Sequence, residues 1–220
     1  MKSAALFDLD GTLVDADHLH YAAWHAMLEP HGVDLSLDDY RTRFMGAPNS
    51  LILSRYLPRM DEVHGLALID EKEAMFRRLA TDLEPAPGLN AFLAWLEERR
   101  IAIGVVTNAP RANAEQELRG IGLESRFATL VIGDELAFAK PHPLPYLTGL
   151  ENLQGSAAAS LAFEDSLSGI AAARAAGLAV IGLTTGLSEE RLLAEGAALA
   201  IPHFADPRLL PFAAARFGLA

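Results

Sequence analysis

The stretch that decides the fold of this chain lies near its N-terminus and reads Leu6-Phe7-Asp8-Leu9-Asp10-Gly11-Thr12-Leu13-Val14-Asp15. Residues 4–7 form a short apolar run that is typical of a strand. Side chains two residues apart in a strand point the same way, so Asp8 and Asp10 can face one site. Gly11 permits a sharp turn after the strand, and Thr12 can hydrogen-bond to the backbone of that turn. We therefore expect two carboxylates at the carboxyl end of a buried strand, where open α/β sheets bind their ligands.

These two carboxylates indicate a cation site rather than a simple turn. An isolated Asp-Gly pair is more often a solvated turn, but here the pattern Asp-any-Asp-Gly-Thr directly follows a hydrophobic strand. Two unpaired acids at a strand end are costly unless a cation neutralises them, and hard oxygen ligands suit Mg²⁺. We therefore expect Asp8 and Asp10 to take part in a Mg²⁺ site.

Composition limits the classes of protein that the chain can belong to. With 220 residues, of which 51% are hydrophobic, it can form one domain or a core domain with a smaller insertion. It has no cysteine, no run near the roughly 18 apolar residues of a membrane span, and no signal-peptide pattern, so we expect a cytoplasmic protein without membrane contact. A formal net charge of −11 disfavours nucleic acid as a partner, because phosphate neutralisation needs a basic face. A small phosphorylated metabolite stays possible, since a local cluster of cations can bind it.

Residues 16–83 are predicted to be entirely helical, because their apolar residues recur with helical spacing and no strand-like alternation occurs. The predicted helices cover residues 17–30, 37–44, 49–57 and 69–83, with breaks at Gly46-Ala47-Pro48, Pro58 and Gly65. A turn-rich stretch at residues 84–88 ends the block. We interpret residues 16–83 as a helical domain inserted into a core domain made of residues 1–15 and 84–220.

The remainder of the chain alternates between strand and helix patterns. Strands are predicted at residues 101–107, 129–132, 161–164 and 180–183, and helices at residues 89–100, 111–120, 143–150, 166–176, 189–195 and 208–217. Such alternation predicts an α/β fold with a doubly wound parallel sheet.

Three further strand ends or loops carry polar residues that have a chemical use. Thr107 and Asn108 can hold a phosphoryl oxygen, although such a pair is more often an ordinary helix cap. Lys140 lies in a proline-rich loop, where it is either simply exposed or held stiffly enough to contact both a carboxylate and a phosphate. Glu164 and Asp165 are either first-turn acids favoured by the helix dipole or part of a Mg²⁺ site.

Taken in chain order, these residues resemble the four signatures of the haloacid dehalogenase superfamily, a group dominated by Mg²⁺-dependent phosphotransferases. Residues 164–177, Glu-Asp-Ser-Leu-Ser-Gly-Ile-Ala-Ala-Ala-Arg-Ala-Ala-Gly, look especially like the branch that contains β-phosphoglucomutase and phosphoglycolate phosphatase. The resemblance covers essentially the whole chain. It implies a Rossmann-like core with a small helical cap inserted after the first strand, at the position and size of residues 16–83.

The resemblance also implies a role for each matched residue. Asp8 would be the nucleophile that forms an aspartyl-phosphate, and Asp10 the general acid and base. Lys140 and Thr107 would stabilise charge on the phosphoryl oxygens. The implied Mg²⁺ ligands are Asp8, Asp165, Glu164 and the backbone carbonyl of Asp10.

Two residues of the helical block match positions of the family's cap that reach the active site. His20 is near enough in sequence to approach Asp10, and the alternative is an ordinary core or surface histidine. Lys72 resembles a second such residue, and the alternative is an exposed lysine between two glutamates, which the sequence slightly favours. Both are therefore candidates for substrate binding.

The departures from the family favour a phosphatase over a mutase. Mutases carry an arginine in the loop that corresponds to residues 46–50, where this chain has Asn49 and no arginine. They also have a polar Ser-Lys-Asn run after the second signature, where this chain has Ala-Pro followed by Arg111, which can compensate in part. We expect hydrolysis of a sugar phosphate or phosphoglycolate-like ester, with Asn108, Asn49 and Arg111 as candidate substrate contacts. A phosphosugar mutase and a non-catalytic binding module are the alternatives, and the sequence leaves monomer and homodimer open.

Overall fold

The computed structural model describes residues 2–219 and contains a six-stranded, wholly parallel sheet with the strand order β3-β2-β1-β4-β5-β6. From β1 the chain builds the sheet outward to one side and then returns to build the other side, so a topological switch point lies beside β1. Ligands bind at such a point, outside the carboxyl ends of the strands. The strands are β1 (Ala4–Phe7), β2 (Ala102–Thr107), β3 (Thr129–Ile132), β4 (Leu161–Glu164), β5 (Ala179–Leu183) and β6 (Leu199–Ile201).

Helices cover both faces of the sheet, which confirms the predicted fold class. Successive side chains of β1 enter different hydrophobic clusters, with Phe7 in one and Leu6 in the other. The Phe7 ring stacks on Phe163 of β4 at 4.6 Å between ring centroids. The helices of this part are α5 (Leu89–Glu98), α6 (Arg111–Gly120), α7 (Leu144–Leu153), α8 (Leu167–Ala175), α9 (Glu189–Glu195) and α10 (Leu209–Phe217), numbered after the four described next.

Four helices lie between β1 and α5. They are α1 (Asp17–Leu28), α2 (Leu37–Arg43), α3 (Asn49–Tyr56) and α4 (Glu62–Leu79). A separate hydrophobic cluster, which includes Trp24, Phe44 and Ile52, holds them together. A cluster of their own fits the interpretation of residues 16–83 as an inserted domain, and that division stays a prediction. Among the helices in residues 2–219, none combines the length and the apolar character that crossing a bilayer requires.

Two elements differ from the prediction. The break at Gly65 is wrong, because α4 begins at Glu62, where the Asp61 side chain accepts a hydrogen bond from the backbone N–H of His64. Gly65 is buried inside this helix, where a side chain would lie 3.3 Å from Cδ1 of Leu53. Strand β6 was not predicted at all, since its three residues are too short for a periodic pattern.

The helical conformation of Gly65 leads to a stability prediction. Gly65→Ala is expected to raise the free energy of unfolding by about 0.5–1 kcal/mol, because alanine loses less backbone entropy in a helix and Leu53 can shift its methyl group. The measurement is urea denaturation followed by circular dichroism. Gly88→Ala is the contrasting variant, since Gly88 has a φ of +81° and its added Cβ would clash with the backbone nitrogen of Ala205. Equal destabilisation by both substitutions would contradict a continuous α4.

Candidate active site

A pocket lies where the carboxyl ends of β1, β2 and β4 face helices α1 to α4. The sheet side brings together residues that are distant in sequence, which parallel strands do because their carboxyl ends share one edge. The helical side adds residues of α1, α3 and α4, among them His20, Asn49 and Lys72. From the sheet side the polar lining residues are Asp8, Asp10, Thr107, Asn108, Lys140 and Asp165.

Lys140 is the buried cation around which the sheet side is arranged. Its side chain is 1% exposed, and Nζ donates hydrogen bonds of 2.6 Å to both Asp8 Oδ1 and Glu164 Oε1. Burial by itself would lower the pKa of Lys140, but the two carboxylates outweigh burial and raise it above the ordinary lysine value. Lys140 therefore stays charged and points one proton at Asp8. The alternative of a simply exposed loop lysine is wrong.

Three buried carboxyl groups form an acidic cluster at this end of the sheet, and two of them contact Lys140. Oxygen atoms of Asp8, Glu164 and Asp165 lie within 4.8 Å of one another. Burial raises the pKa of Asp8 and of Asp165 well above the usual range, and the neighbouring acids raise both further while Lys140 opposes them. One lysine thus leaves negative charge uncompensated, and an all-oxygen set with surplus charge suits a hard divalent cation. The residues present fit a metal ion.

Glu164 differs from the other two acids in what it contacts. Its oxygens accept hydrogen bonds from Lys140, from the Tyr146 hydroxyl at 2.6 Å and from Ser166 Oγ at 3.1 Å. Asp8 and Asp165 line the pocket. The metal ligand set of Asp8, Glu164, Asp165 and the Asp10 carbonyl stays a prediction. Within that set, Glu164 also accepts the hydrogen bond that holds Lys140.

The Asp10 carboxylate begins a chain of contacts that leads away from the sheet. Its Oδ1 lies 3.0 Å from Nε2 of His20, whose Nδ1 lies 2.9 Å from Nζ of Lys72, and Lys72 donates to Glu73 Oε1 at 3.0 Å. The His20 ring stacks on Phe76 at 3.8 Å between centroids, which fixes its plane. Because an ammonium group can only donate, Nδ1 accepts and Nε2 is left to donate to Asp10. The structure therefore brings both candidate residues of the helical block to the site.

The alternative of an exposed Lys72 is wrong. The residue is 2% exposed, because on α4 it lies between Ile69 and Phe76 at helical spacing and faces α1 rather than solvent. Burial lowers its pKa below the ordinary lysine value, and Glu73 opposes that shift.

The carboxyl groups near Asp10 have different pKa values. Burial raises the pKa of Asp10, but its contact and hydrogen bond with His20, together with the nearby charge of Lys72, outweigh burial and lower it from the ordinary value. Burial and the charge of Asp10 raise the pKa of Asp17 to about 6. Asp17 accepts a hydrogen bond from the Tyr40 hydroxyl at 3.0 Å.

Thr107 and Asn108 do not cap a helix, since α6 follows Pro110 without a side-chain cap. Thr107 is 1% exposed, and its Oγ1 accepts a hydrogen bond from the backbone N–H of Ala109 at 2.9 Å. The Asn108 amide joins three segments. Its Nδ2 donates to the carbonyls of Gly46 and Lys140, and its Oδ1 accepts from the Lys140 N–H.

Arg111 is the one predicted contact that the structure does not bring to the pocket. Its guanidinium is half exposed and donates to both carboxylate oxygens of Glu135 at 2.6–2.7 Å. The predicted compensation for a missing arginine is therefore not seen. Asn49 does line the pocket, and its Nδ2 donates to Glu73 Oε1 at 2.7 Å.

Sequence reasoning missed two buried acids, Glu73 and Glu117. Both oxygens of Glu117 are buried close to Asp10 and His20 and accept no hydrogen bond from the described residues, but a protonated Glu117 can donate one to the Asp10 carboxylate. Burial and the charge of Asp10 raise the pKa of Glu117 well above its ordinary value. The sequence did contain a signal that Glu117 is buried. It lies at helical spacing from Ala114, on the apolar face of α6.

The fold and the site together define an α/β protein with a carboxylate and lysine site at a topological switch point. Residues 5–183 match the family model of haloacid dehalogenase-like hydrolases, and the chain belongs to this family. This confirms the resemblance inferred from the four signatures.

Individual relatives match over nearly the whole chain. A phosphorylated carbohydrates phosphatase from Thermotoga maritima is 32% identical over 90% of this chain and 93% of that protein. A phosphoglycolate phosphatase from Yersinia pestis is 30% identical over 93% of this chain and 90% of that protein. A crystal structure of a CbbY mutant from Rhodobacter sphaeroides with xylulose-(1,5)bisphosphate has a TM-score of 0.81 and 26% identity, and covers 94% of this chain and 96% of that one.

The raised pKa of Asp17 predicts how stability depends on pH without metal. Between about pH 4 and 6 the folded protein keeps a proton on Asp17 that the unfolded chain has released. The free energy of unfolding therefore falls as pH rises through this window, and Asp17→Asn is expected to make the fall shallower.

The measurement is urea unfolding in EDTA at several pH values across the same window. The matched control is Asp70→Asn, the same chemical change at an exposed position on α4, which is expected to keep the wild-type slope. An equal slope in wild type and Asp17→Asn would contradict the shift.

Proposed function

We propose that the protein is a Mg²⁺-dependent phosphatase that hydrolyses a small phosphomonoester, either a sugar phosphate or a phosphoglycolate-like acid. The observation that carries this proposal is Asp8, a carboxylate at the end of β1 that Lys140 holds at 2.6 Å on the floor of the pocket. Membership of the hydrolase family and relatives named as phosphatases support it.

In the proposed reaction, an Asp8 oxygen attacks the phosphorus and the bond to the leaving alcohol breaks, which gives an aspartyl-phosphate. Asp10 gives its proton to the leaving oxygen, then takes a proton from the water that attacks the same phosphorus. The products are the alcohol, inorganic phosphate and the regenerated Asp8. Lys140 stabilises charge on the phosphoryl oxygens, with Thr107 beside it. A Mg²⁺ ion held by Asp8, Asp165 and the Asp10 carbonyl, with Glu164 as a further ligand or as the partner that holds Lys140, would offset repulsion between Asp8 and the anionic phosphate.

The environment of Asp10 suits a group that must act both as acid and as base. In the free pocket, His20 lowers the pKa of Asp10 and favours the carboxylate. An anionic phosphate ester beside Asp10 opposes this effect and raises the pKa, because a nearby like charge favours the neutral form. Binding of the substrate thus favours the protonated form of Asp10, which the first step needs as an acid. Transfer of that proton to the leaving oxygen leaves Asp10 as a carboxylate, which the second step needs as a base.

The pocket supports hydrolysis better than a phosphosugar mutase. A mutase must hold a bisphosphate at both ends, but residues 46–50 contain no arginine and Arg111 is paired with Glu135. Hydrolysis needs one phosphate held, and Lys140 with Thr107 and Asn108 is arranged for that. The mutase stays the second candidate because the resemblance includes β-phosphoglucomutase.

The test is phosphate release from a panel of sugar phosphates and short phosphorylated acids, with Mg²⁺ and with EDTA. We expect release with Mg²⁺ alone, and a loss of about 10⁴-fold or more in Asp8→Asn, because a carboxamide cannot act as the nucleophile. Asp70→Asn is the matched control, expected to keep wild-type activity.

Other outcomes would favour the alternatives. Conversion of β-glucose 1-phosphate to glucose 6-phosphate, primed by a bisphosphate and without stoichiometric phosphate release, would make the protein a mutase. No turnover of any ester, with Mg²⁺ binding retained in a calorimetric titration, would favour a non-catalytic binding module.

A further inference from the structure

The helical side of the pocket contains an ion pair between Lys72 and Glu73, and Glu73 has no role in the mechanism above. Among the pocket-lining residues that the structure describes, Lys72 is the only lysine or arginine contributed by residues 16–83. It is the group that could hold a second anionic part of a substrate. Next to it in sequence and in space is Glu73, which also lines the pocket.

Glu73 is fixed in place by donors from three directions. Its Oε1 accepts hydrogen bonds from Lys72 at 3.0 Å and from Asn49 at 2.7 Å, and its Oε2 accepts from Asn113 of α6 at 2.6 Å. Asn113 is completely buried, and Arg77 donates to its other amide atom at 2.8 Å. A carboxylate with three such donors has one orientation and favours the charged form.

The charges on this wall therefore cancel. Burial raises the pKa of Glu73, but Lys72 outweighs burial and lowers it below the ordinary glutamate value, so Glu73 is a carboxylate when Lys72 is charged. With a contact of 3.0 Å between them, Lys72 and Glu73 form a neutral pair. Asp10 and Asp17 add negative charge nearby. A leaving group with its own carboxylate or second phosphate meets no free cation here.

The same wall offers groups that suit hydroxyls. Asn49 and Glu73 present amide and carboxylate atoms, and Trp24 and Phe44 present apolar ring surface. Polar atoms beside apolar surface are the usual means by which a pocket binds a small polyhydroxy compound.

We propose that Glu73 is a specificity-determining residue that neutralises Lys72 and restricts hydrolysis to phosphomonoesters with an uncharged, hydroxylated leaving group. Bisphosphates and phosphorylated carboxylic acids such as phosphoglycolate are then disfavoured. This inference rests on the proposed phosphatase function and narrows its substrate class to sugar and polyol monophosphates.

The test compares esters that differ only by a CH₂OH or a carboxylate group. The pairs are hydroxyethyl phosphate with phosphoglycolate, and glycerol 3-phosphate with 3-phosphoglycerate. In the wild type we expect kcat/KM to favour the alcohol by about tenfold or more in each pair, since like charges brought together in a desolvated site are strongly unfavourable.

Glu73→Gln keeps the shape of the side chain and removes the charge that neutralises Lys72, so that an anionic leaving group becomes the partner that keeps Lys72 protonated. We expect it to raise kcat/KM for the carboxylates, mainly through KM, and to shrink the preference by about tenfold. Glu73→Asp retains the charge and is expected to retain the preference. In the double variant Lys72→Gln, Glu73→Gln the gain for carboxylates should disappear, because the two substitutions act on one interaction. Glu71→Gln, at an exposed position on α4, is the matched control.

The possible results separate this inference from the function on which it rests. Phosphate release from both members of each pair, with a wild-type ratio near one or a ratio unchanged in Glu73→Gln, would overturn the inference alone. A Glu73→Asp variant that loses the preference would overturn it as well, because the charge would then not be the cause. No phosphate release from any of the four esters or from the wider panel of sugar phosphates would overturn the proposed function, and the inference with it.

Discussion

The Lys140 ammonium group, buried between Asp8 and Glu164, is the interaction on which the rest of the site depends. It joins the ends of β1 and β4 to the loop that precedes α7, three segments that meet only in the folded sheet. Removing one partner of such a buried pair typically costs about 3–5 kcal/mol, because the other charge is left without compensation. Tyr146 and Ser166 hold Glu164 from the remaining sides, so Lys140 has a fixed partner opposite Asp8. The proposed nucleophile is thus oriented before substrate arrives.

A second constraint connects the sheet to the helices that cover it. The contacts from Asp10 through His20 and Lys72 to Glu73 run from the end of β1 to α1 and α4, and Asn113 extends them to α6. The proposed acid and base is therefore in contact with the wall that would surround the leaving group. In this arrangement, the charge state of Asp10 and the charge preference of the pocket are parts of one network.

Much of this could be predicted from sequence because the informative residues follow apolar strands. Asp8, Thr107, Glu164 and Asp165 stand at strand ends, and parallel strands place such positions at one edge. The fold class, five of the six strands and the family followed from the same pattern. Strand β6 did not, because three residues carry no usable periodicity.

The errors concern residues whose surroundings are set by tertiary packing. Lys72 stands between two glutamates in sequence, which suggests solvent, whereas the apolar stripe of α4 that contains it turns it inward. Glu117 was missed although it lies on a similar stripe of α6. Arg111 forms an ion pair with Glu135. The local sequence does not indicate whether the Arg111 side chain contacts a substrate or a surface acid.

The central claim is that Asp8 becomes phosphorylated, and it can be measured directly in Asp10→Asn with p-nitrophenyl phosphate and Mg²⁺. This leaving group needs no proton, so the first step can proceed, while hydrolysis lacks its base and the acyl phosphate accumulates. Acid quenching and borohydride reduction convert an aspartyl-phosphate to homoserine, which tandem mass spectrometry locates in the peptide. The account predicts homoserine at position 8 in amounts that match the initial burst of p-nitrophenol. Continued release of p-nitrophenol with position 8 recovered only as aspartate would contradict it.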